Sequence, residues 1–523
     1  MLFMQESMDT RWYSLGEVAN LVKLDNVSFR EYQHSIVQKI MQGKNTLVVL
    51  PTGLGKTLIG TLVLASALAK GKKAMFLSPT KPLTEQHYST LVESLNVEKD
   101  QILLLTGSLA KNRRKEMEEH ARIIIATPQT VANELKNANF DMSQFGVVVF
   151  DECHKAVGKY AYTYIAEEAD LKGVQMVGLT ASPGSAREKI KSLLNELKIQ
   201  DIEIRISTDP DVATYVMPKY MHVLEVDRSE RINRIALQLR PLAEDALKKL
   251  NTMGLTPFRM FETMPKGRLI ELGNMINKIE ARNFKFGALY QYSKLLNLIH
   301  AYDLLETQGL YSFSQYLRSL RERETKSKAV QAIIDHKNVI LADQLAQEGM
   351  QRGEEHPKAF ALVDLLKMNH AKKAIVFVQY RSTIKMLTDL LNKNNLSARA
   401  FVGKKDGVTQ AQQQLTIKEF REGKFNVLVS SSIGEEGLDI PSVDIVVFYE
   451  PIASEIRNIQ RRGRTGRLYS GDVYVLMTRD TKDQVYLMVS KQKEKKMLET
   501  VTKIKQELAL KHGPDRRQSR LGS

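Results

Sequence analysis

The sequence predicts an α/β protein: two parallel-sheet lobes with an all-helical domain inserted between them. Short apolar or β-branched runs alternate with helical patterns from about residue 46 to 206, and the same alternation resumes near residue 358. Strands separated by helices pair in parallel and carry helices on both faces of the sheet. Between Arg228 and Met350 the strand patterns vanish and apolar residues recur at helical spacing, as in Ile232, Ile235, Ala236 and Leu239, or Leu295, Leu298, Ile299, Tyr302 and Leu305. A chain of 523 residues holds three to four domains at roughly 150 residues each. The expected divisions are residues 1–224, 225–356 and 357–485, followed by a basic helical tail over 486–523.

In chain order, the first informative element is the helix after Phe29-Arg30-Glu31-Tyr32-Gln33, with Ile36, Val37, Ile40 and Met41 on one stripe and Gly43 as its stop. A glutamine amide donates and accepts at once, so Gln33 suits an adenine edge; an exposed helix-end glutamine is the plainer alternative. Thr46-Leu47-Val48-Val49-Leu50 reads as a buried strand, Leu50-Pro51-Thr52-Gly53-Leu54-Gly55-Lys56-Thr57 as a glycine turn, and Leu58 to Ala65 as a helix. Gly53 and Gly55 let successive N–H groups face one concavity at a helix N-terminus, which suits a polyphosphate. Lys56 can then reach its β- and γ-phosphates, and the Thr57 hydroxyl can take a position on Mg²⁺. Leu50 replaces the first glycine of the G-x-x-x-x-G-K-[ST] pattern, so a chance glycine turn is the competing reading.

The next strands are Lys73–Ser78, Gln101–Leu105, Arg122–Thr127, Val147–Phe150 and Gln175–Thr180, with a helix over Thr84–Leu95 and a polar one over Lys111–Glu119. Ligands of such sheets sit at the carboxyl ends of strands. There stand Thr80-Lys81, Thr106-Gly107, Thr127-Pro128, Asp151-Glu152 and Thr180-Ala181-Ser182. Asp151 suits Mg²⁺ coordination and Glu152 suits polarising an attacking water; paired helix N-terminal acids are the common alternative. The second α/β stretch has strands at Ala374–Val378, Val427–Val429, Ile445–Phe448 and Val473–Met477, a helix over Ile384–Leu391, and no phosphate loop of its own. It carries instead Ser430 to Asp439 and Gln460-Arg461-Arg462-Gly463-Arg464-Thr465-Gly466-Arg467, with four arginines in seven positions. These form either a solvated basic loop or fingers that reach across a cleft to a γ-phosphate and stabilise its developing charge.

Composition narrows the class. Hydrophobic residues at 43% and charged residues at 26% are ordinary for globular protein. No apolar run approaches the ~20 residues of a membrane span, and Met1-Leu2-Phe3-Met4-Gln5-Glu6 lacks the regions of a signal peptide, so a soluble intracellular protein is expected. The one cysteine, Cys153, excludes an internal disulfide and a cysteine metal framework. A net charge of +16 favours a polyanionic partner over a merely basic surface.

Together these motifs resemble those of the superfamily-two helicases, over about residues 29–210 and 357–480. The resemblance implies two RecA-like lobes using ATP and Mg²⁺. It places Arg30, Gln33, Thr52, Gly53, Gly55, Lys56 and Thr57, with Gly437 and Asp439 of the second lobe, at the nucleotide. Asp151-Glu152-Cys153-His154 becomes a DEAH-like box, and Thr180-Ala181-Ser182 a lobe-coupling motif. Lys56, Asp151, Glu152, Gln460, Arg464 and Arg467 become the catalytic set, and Thr57 and Asp151 the metal ligands. Thr80, Lys81, Thr106, Gly107, Thr127 and Pro128, with Gln379, Tyr380 and Arg381, match the family's nucleic-acid backbone contacts. Asp-Glu-Cys-His, Thr-Ala-Ser-Pro-Gly and Gln-Arg-Arg-Gly-Arg-Thr-Gly-Arg look most like the group of archaeal Hef, the Fanconi anaemia M translocase and the RIG-I-like RNA receptors, which carries a helical insertion. No tandem death-fold-like domains precede Trp12 and no Cys-rich zinc domain follows, which disfavours an RNA sensor. The tail from Lys491 shows no nuclease carboxylate cluster, so the expectation is either a form that lacks a nuclease or an excised helicase portion, with any nuclease a separate partner. The resemblance implies a DNA helicase or translocase acting on branched DNA, with Arg318 to Lys328 the insert's candidate phosphate contacts. An RNA helicase and an ATP-regulated clamp are the alternatives.

Overall fold

The computed structural model describes residues 15–23, 29–106, 120–158, 160–206, 208–213, 215, 221–369, 373–403, 408–431, 443–451 and 472–511. The polar helix expected over 111–119 lies outside them, as do Gly107, Gly437, Asp439, Gln460, Arg464 and Arg467.

Lobe one is a sheet of β1 (Thr46–Val49), β2 (Lys73–Leu77), β3 (Ile102–Leu105), β4 (Ile123–Ala126), β5 (Phe145–Asp151), β6 (Gln175–Thr180) and β7 (Asp201–Ile204). Their order is β3-β4-β2-β5-β6-β1-β7, with parallel pairings. Its helices are α1 (Glu31–Ile40), α2 (Lys56–Ala69), α3 (Lys81–Ser94), α4 (Pro128–Lys136), α5 (Ala161–Leu171) and α6 (Arg187–Glu196). Alternate strand residues feed two cores, one on each face. Leu47, Met75, Val148 and Phe150 join the first, and Val48, Phe76, Val147 and Val149 the second. Burial on both faces is what makes these strands continuous apolar runs.

Lobe two contains β8 (Met221–Val226), β9 (Ala374–Phe377), β10 (Ala398–Phe401), β11 (Val427–Ser430), β12 (Ile445–Phe448) and β13 (Asp472–Thr478), in the order β10-β11-β9-β12-β13-β8 and again parallel. The helices that follow lobe one are α7 (Glu230–Thr252), α8 (Lys266–Asn277), α9 (Arg282–Thr307), α10 (Leu310–Arg321), α11 (Lys328–Ile334) and α12 (Lys337–Gln351), which share one apolar core. After them come α13 (Pro357–Met368), α14 (Arg381–Lys393), α15 (Gln410–Arg421) and α16 (Lys482–Lys511).

The expected boundary at residue 224 is corrected by β8, which pairs along its whole length with β13. The helical domain therefore lies between the lobes in sequence, but in space it leaves lobe two at β8 and returns to lobe two at α13. Polar contacts seat it there. Thr383 Oγ1 donates to Gln308 Oε1 (2.9 Å), Thr383 and Ser312 hydroxyls lie 2.9 Å apart, and Lys482 Nζ donates to Asp303 (2.7 Å). The expected division at 485/486 also falls inside a helix, since α16 starts at Lys482 and runs on into lobe one. Met497, Val501 and Ile504 enter the first core there, and Lys505 meets the buried Glu203 at 3.1 Å. Among the described residues no helix is long and apolar enough to cross a membrane.

Glu355 shows how the insert's root is held. Its carboxylate accepts the N–H groups of Leu310 (2.6 Å), Tyr311 (3.0 Å) and His356 (2.9 Å). Burial pushes this carboxyl up to about 7, against the downward pull of those donors. The folded state thus holds the proton more tightly than the unfolded chain, whose value is 4.5. Its contribution to stability is complete below that value and is lost as pH rises to about 7. Glu355→Gln, less stable overall, is expected to show a shallower fall in unfolding midpoint across this window than the parent chain; equal slopes would refute the assignment.

Candidate functional site

The site begins where β1 ends. Leu50 is fully buried and donates its N–H to Thr180 O at 3.0 Å, which fixes the start of the loop. Gly53 and Gly55 have φ of 86° and 79°, left-handed values costly for residues with a Cβ. At Gly55 a Cβ would stand 2.3 Å from Gln33 Nε2, so glycine is required on two counts. Lys56 opens α2, and its Nζ donates to Leu50 O at 2.9 Å. Thr57 follows in the first turn.

The Gln33 amide, assigned from sequence to an adenine edge, is engaged with the loop. Nε2 donates to Leu54 O (3.1 Å), and Oε1 accepts from Arg30 N (2.9 Å). Tyr32 Oη donates to the same Leu54 carbonyl at 2.7 Å. Arg30 lies over the Tyr215 ring at 5.1 Å. Helix α1 thus braces the glycine turn, and any ligand that draws Gln33 away also acts on Leu54.

Asp151 closes β5 and Glu152 follows it. Asp151 is buried, and its Oδ2 lies 3.0 Å from His87 Nε2 on α3. Burial opposes its charge most strongly. The His87 hydrogen bond and charge, the Lys56 ammonium and the Glu152 amide together still hold the carboxyl below its ordinary value. Lys56 and Asp151 therefore act on one another electrostatically. Glu152 has φ 47° and ψ 46°, a left-handed conformation that costs a non-glycine residue of order 1–3 kcal/mol and clusters at functional sites. Its Oε2 is enclosed, lies 3.3 Å from His154 Nδ1, and has no hydrogen-bond partner among the described residues. His154 Nδ1 instead meets Thr180 Oγ1 at 3.1 Å, and Thr180 Oγ1 bonds Ser182 N and O, each at 3.1 Å. Ser182 Oγ donates to Met497 Sδ of α16 at 2.8 Å. Contacts thus run from the DEAH-like box through the Thr-Ala-Ser motif to a helix that starts in lobe two.

Thr80, Thr106 and Thr127 follow the neighbouring strands β2, β3 and β4, so they share one end of the sheet with Asp151 and the glycine turn. Thr80 Oγ1 and Ser78 Oγ are enclosed without partners among the described residues. Lys81 is exposed, 3.8 Å from Glu85. Thr127 Oγ1 meets Thr130 Oγ1 at 2.8 Å, and Pro128 starts α4. In lobe two, Gln379 and Tyr380 follow β9 and Arg381 opens α14; the Gln379 N–H donates to Glu450. Within Arg318 to Lys328, Arg321 is ion-paired with the buried Asp343.

Residues 30–190 match the DEAD/DEAH box helicase family model, 357–469 the helicase conserved C-terminal domain, and 232–349 the helical bundle of an ATP-dependent RNA helicase. The crystal structure of the Hef helicase domain of Pyrococcus furiosus superposes with a TM-score of 0.71 at 39% identity, covering 90% of this chain and 100% of that one. The chain belongs to the Hef-type superfamily-two helicases. Relatives of this helicase family include an ATP-dependent RNA helicase of Methanocaldococcus jannaschii, 36% identical over 91% of this chain and 61% of its own length, and the ATP-dependent DNA helicase fml1 of Schizosaccharomyces pombe, 32% identical over 87% and 57%. The chain thus spans about 60% of the length of these relatives.

His87, Tyr32, Glu450 and Met497 escaped the sequence reading of this Hef-type helicase. His87 shares the buried stripe of α3 with Thr84 and Leu91, a pattern that reads as an ordinary core histidine. Only its placement under β5 gives it Asp151. His87→Ala leaves a buried carboxylate short of a partner and is expected to cost about 1–3 kcal/mol of stability at neutral pH. His87→Gln should recover part of that loss in chemical denaturation, and an alanine variant as stable as the parent would contradict the role.

Proposed function

We propose that this chain is an ATP-driven DNA helicase or translocase acting on branched DNA such as forks or junctions. The observation that carries the reading is the convergence of Lys56, Asp151 and Glu152, whose enclosed Oε2 has no hydrogen bond among the described residues, at one sheet end connected through His154, Thr180 and Ser182 to α16. The lysine, hydroxyl and carboxylate donor set fits a nucleotide with Mg²⁺. Thr57 and Asp151 would hold the ion, which when bound offsets charge developing on the phosphate oxygens. Lys56 exchanges its Leu50 carbonyl for phosphate, and Glu152 orients the attacking water. Gln460, Arg464 and Arg467, with Gly437 and Asp439, would complete the site from lobe two, although they lie outside the described residues. Arg464 and Arg467 would stabilise the transition-state charge.

Loss of the γ-phosphate frees the lobes to part, and the contacts from Glu152 to Met497 would pass this change to α16. The strand would cross Thr80, Lys81, Thr106, Gly107, Thr127 and Pro128 in lobe one, and Gln379, Tyr380 and Arg381 in lobe two. Hydroxyls and backbone N–H groups there hold phosphates without reading sequence. The relatives named as DNA helicases and the Hef domain support DNA over RNA. A separate nuclease is the partner such an activity would serve.

ATP turnover with forked DNA, linear duplex and structured RNA tests the substrate. Forked DNA is expected to stimulate most, and preferential stimulation by RNA would overturn the DNA assignment. Lys56→Ala should abolish turnover and strand displacement together. Arg464→Ala should bind nucleotide yet turn it over about 10³-fold more slowly, the scale of an arginine finger; normal turnover would remove it from the site.

A further inference from the structure

Helix α9 carries a row of side chains that the nucleotide site and the expected strand contacts leave unused. Arg282, Phe286, Tyr290, Ser293, Asn297 and His300 fall on one helical face, since 18 residues complete about five turns at 3.6 per turn. The Arg282 guanidinium lies 5.7 Å from the Phe286 ring centroid, and Lys294 Nζ lies 5.9 Å from that of Tyr290. Each of the two rings thus has a cation one turn along the helix, Arg282 before Phe286 and Lys294 after Tyr290. Phe286 is 57% exposed and Phe284, on another side of the same turn, 41%. The surroundings are basic: between residues 266 and 294, Lys266, Arg268, Lys278, Arg282, Lys285 and Lys294 stand against Glu271 and Glu280. At its lower end the row reaches the lobe-two segment, where the His300 ring lies 6.2 Å from that of Tyr380 and Asn297 accepts from Tyr316 Oη at 2.8 Å.

We infer that this face of α9 is a track for an unpaired DNA strand, whose bases stack on Phe286 and Tyr290 and whose phosphates meet Arg282 and Lys294. The excess positive charge selects a polyanion, and the exposed Phe286 ring with the half-buried Tyr290 ring selects one with unpaired bases, because bases inside a duplex offer no free π-face. From Arg282 to Lys294 the row is about 18 Å long at 1.5 Å per residue, so it can accompany a few nucleotides on the way toward Tyr380. A strand leaving the lobe-two contacts would therefore be kept from reannealing along the insert. The inference rests on the DNA reading of the preceding subsection.

The test uses the full chain with a fork bearing one unpaired arm, labelled in that arm with 2-aminopurine, and with a blunt duplex of equal length. Phe286→Leu and Tyr290→Leu keep apolar bulk but remove the ring. Each is expected to weaken arm binding by about tenfold, the scale of one lost base–aromatic stack, to abolish quenching of the probe, and to leave blunt-duplex affinity unchanged. Phe286→Trp should restore both signals, and Arg282→Ala should lower the salt slope of arm binding by about 0.7. Unchanged arm affinity and quenching overturn the track. Equal loss on blunt duplex overturns the single-strand assignment, and a change confined to self-association in light scattering makes the face an interface between copies. If the parent chain binds none of these DNAs, the proposed function fails and the track with it; the parent reads the function, and the variants read the row.

Discussion

A buried ion pair sets the geometry on which the rest depends. Lys358 Nζ donates to Asp483 Oδ2 at 2.7 Å, with exposures of 0% and 2%, and lies 4.9 Å from the Tyr449 ring centroid. Asp483 also accepts the N–H of Thr478 at 3.1 Å. Two charges withdrawn from water are costly, and each is tolerable only while the other stays in place. The pair therefore locks the start of α13, the end of β13 and the first turn of α16 at fixed angles. A helix of 30 residues is about 45 Å long, so a small error in its departure would move Met497 and Val501 out of the lobe-one core. The contact between Met497 and Ser182 is thus set by a salt bridge at the far end of the same rod.

In the proposed nucleotide half-site, charge and conformation are arranged so that the polar groups are engaged by the protein itself. Lys56 rests on a carbonyl, Gln33 is folded onto the glycine turn, and Asp151 is bonded to His87. Glu152 alone among these is enclosed, conformationally strained and, among the described residues, without a hydrogen bond at one oxygen. Partner-exchange at the first three leaves the fourth as the group with unspent acceptor capacity, which is the property wanted in a residue that orients water.

The central strands were legible from sequence because both their faces are buried and their runs are uninterrupted, as in Val147–Phe150 or Ile445–Phe448. The strands that escaped are β7, β8 and β10, and each lies at the edge of its sheet. Asp201-Ile202-Glu203-Ile204 and Ala398-Arg399-Ala400-Phe401 are interrupted by charges, which edge strands tolerate and which erase the apolar run. Strand β8 becomes a strand through β13, some 250 residues later, and no local pattern carries that information. The same divide runs through the site. Lys56, Asp151 and Glu152 stand in motifs whose spacing is local. His87 and Met497 act through neighbours assembled by the sheet order, and Gln33 was recognisable as a polar side chain of importance while its partner, Leu54 O, was not.

The position of β8 has a mechanical consequence. The chain passes from lobe one to lobe two between β7 and β8, builds the helical domain from lobe two, completes that lobe, and returns to lobe one along α16. Two bodies joined at two separated places keep mainly the rotation about the line between those places. The joints thus act as the pins of a door, and the helical domain, rooted in one leaf, swings with it. A rotation about that line would carry each point in proportion to its distance from the line, so the helical domain would travel farthest where it stands farthest from the pins.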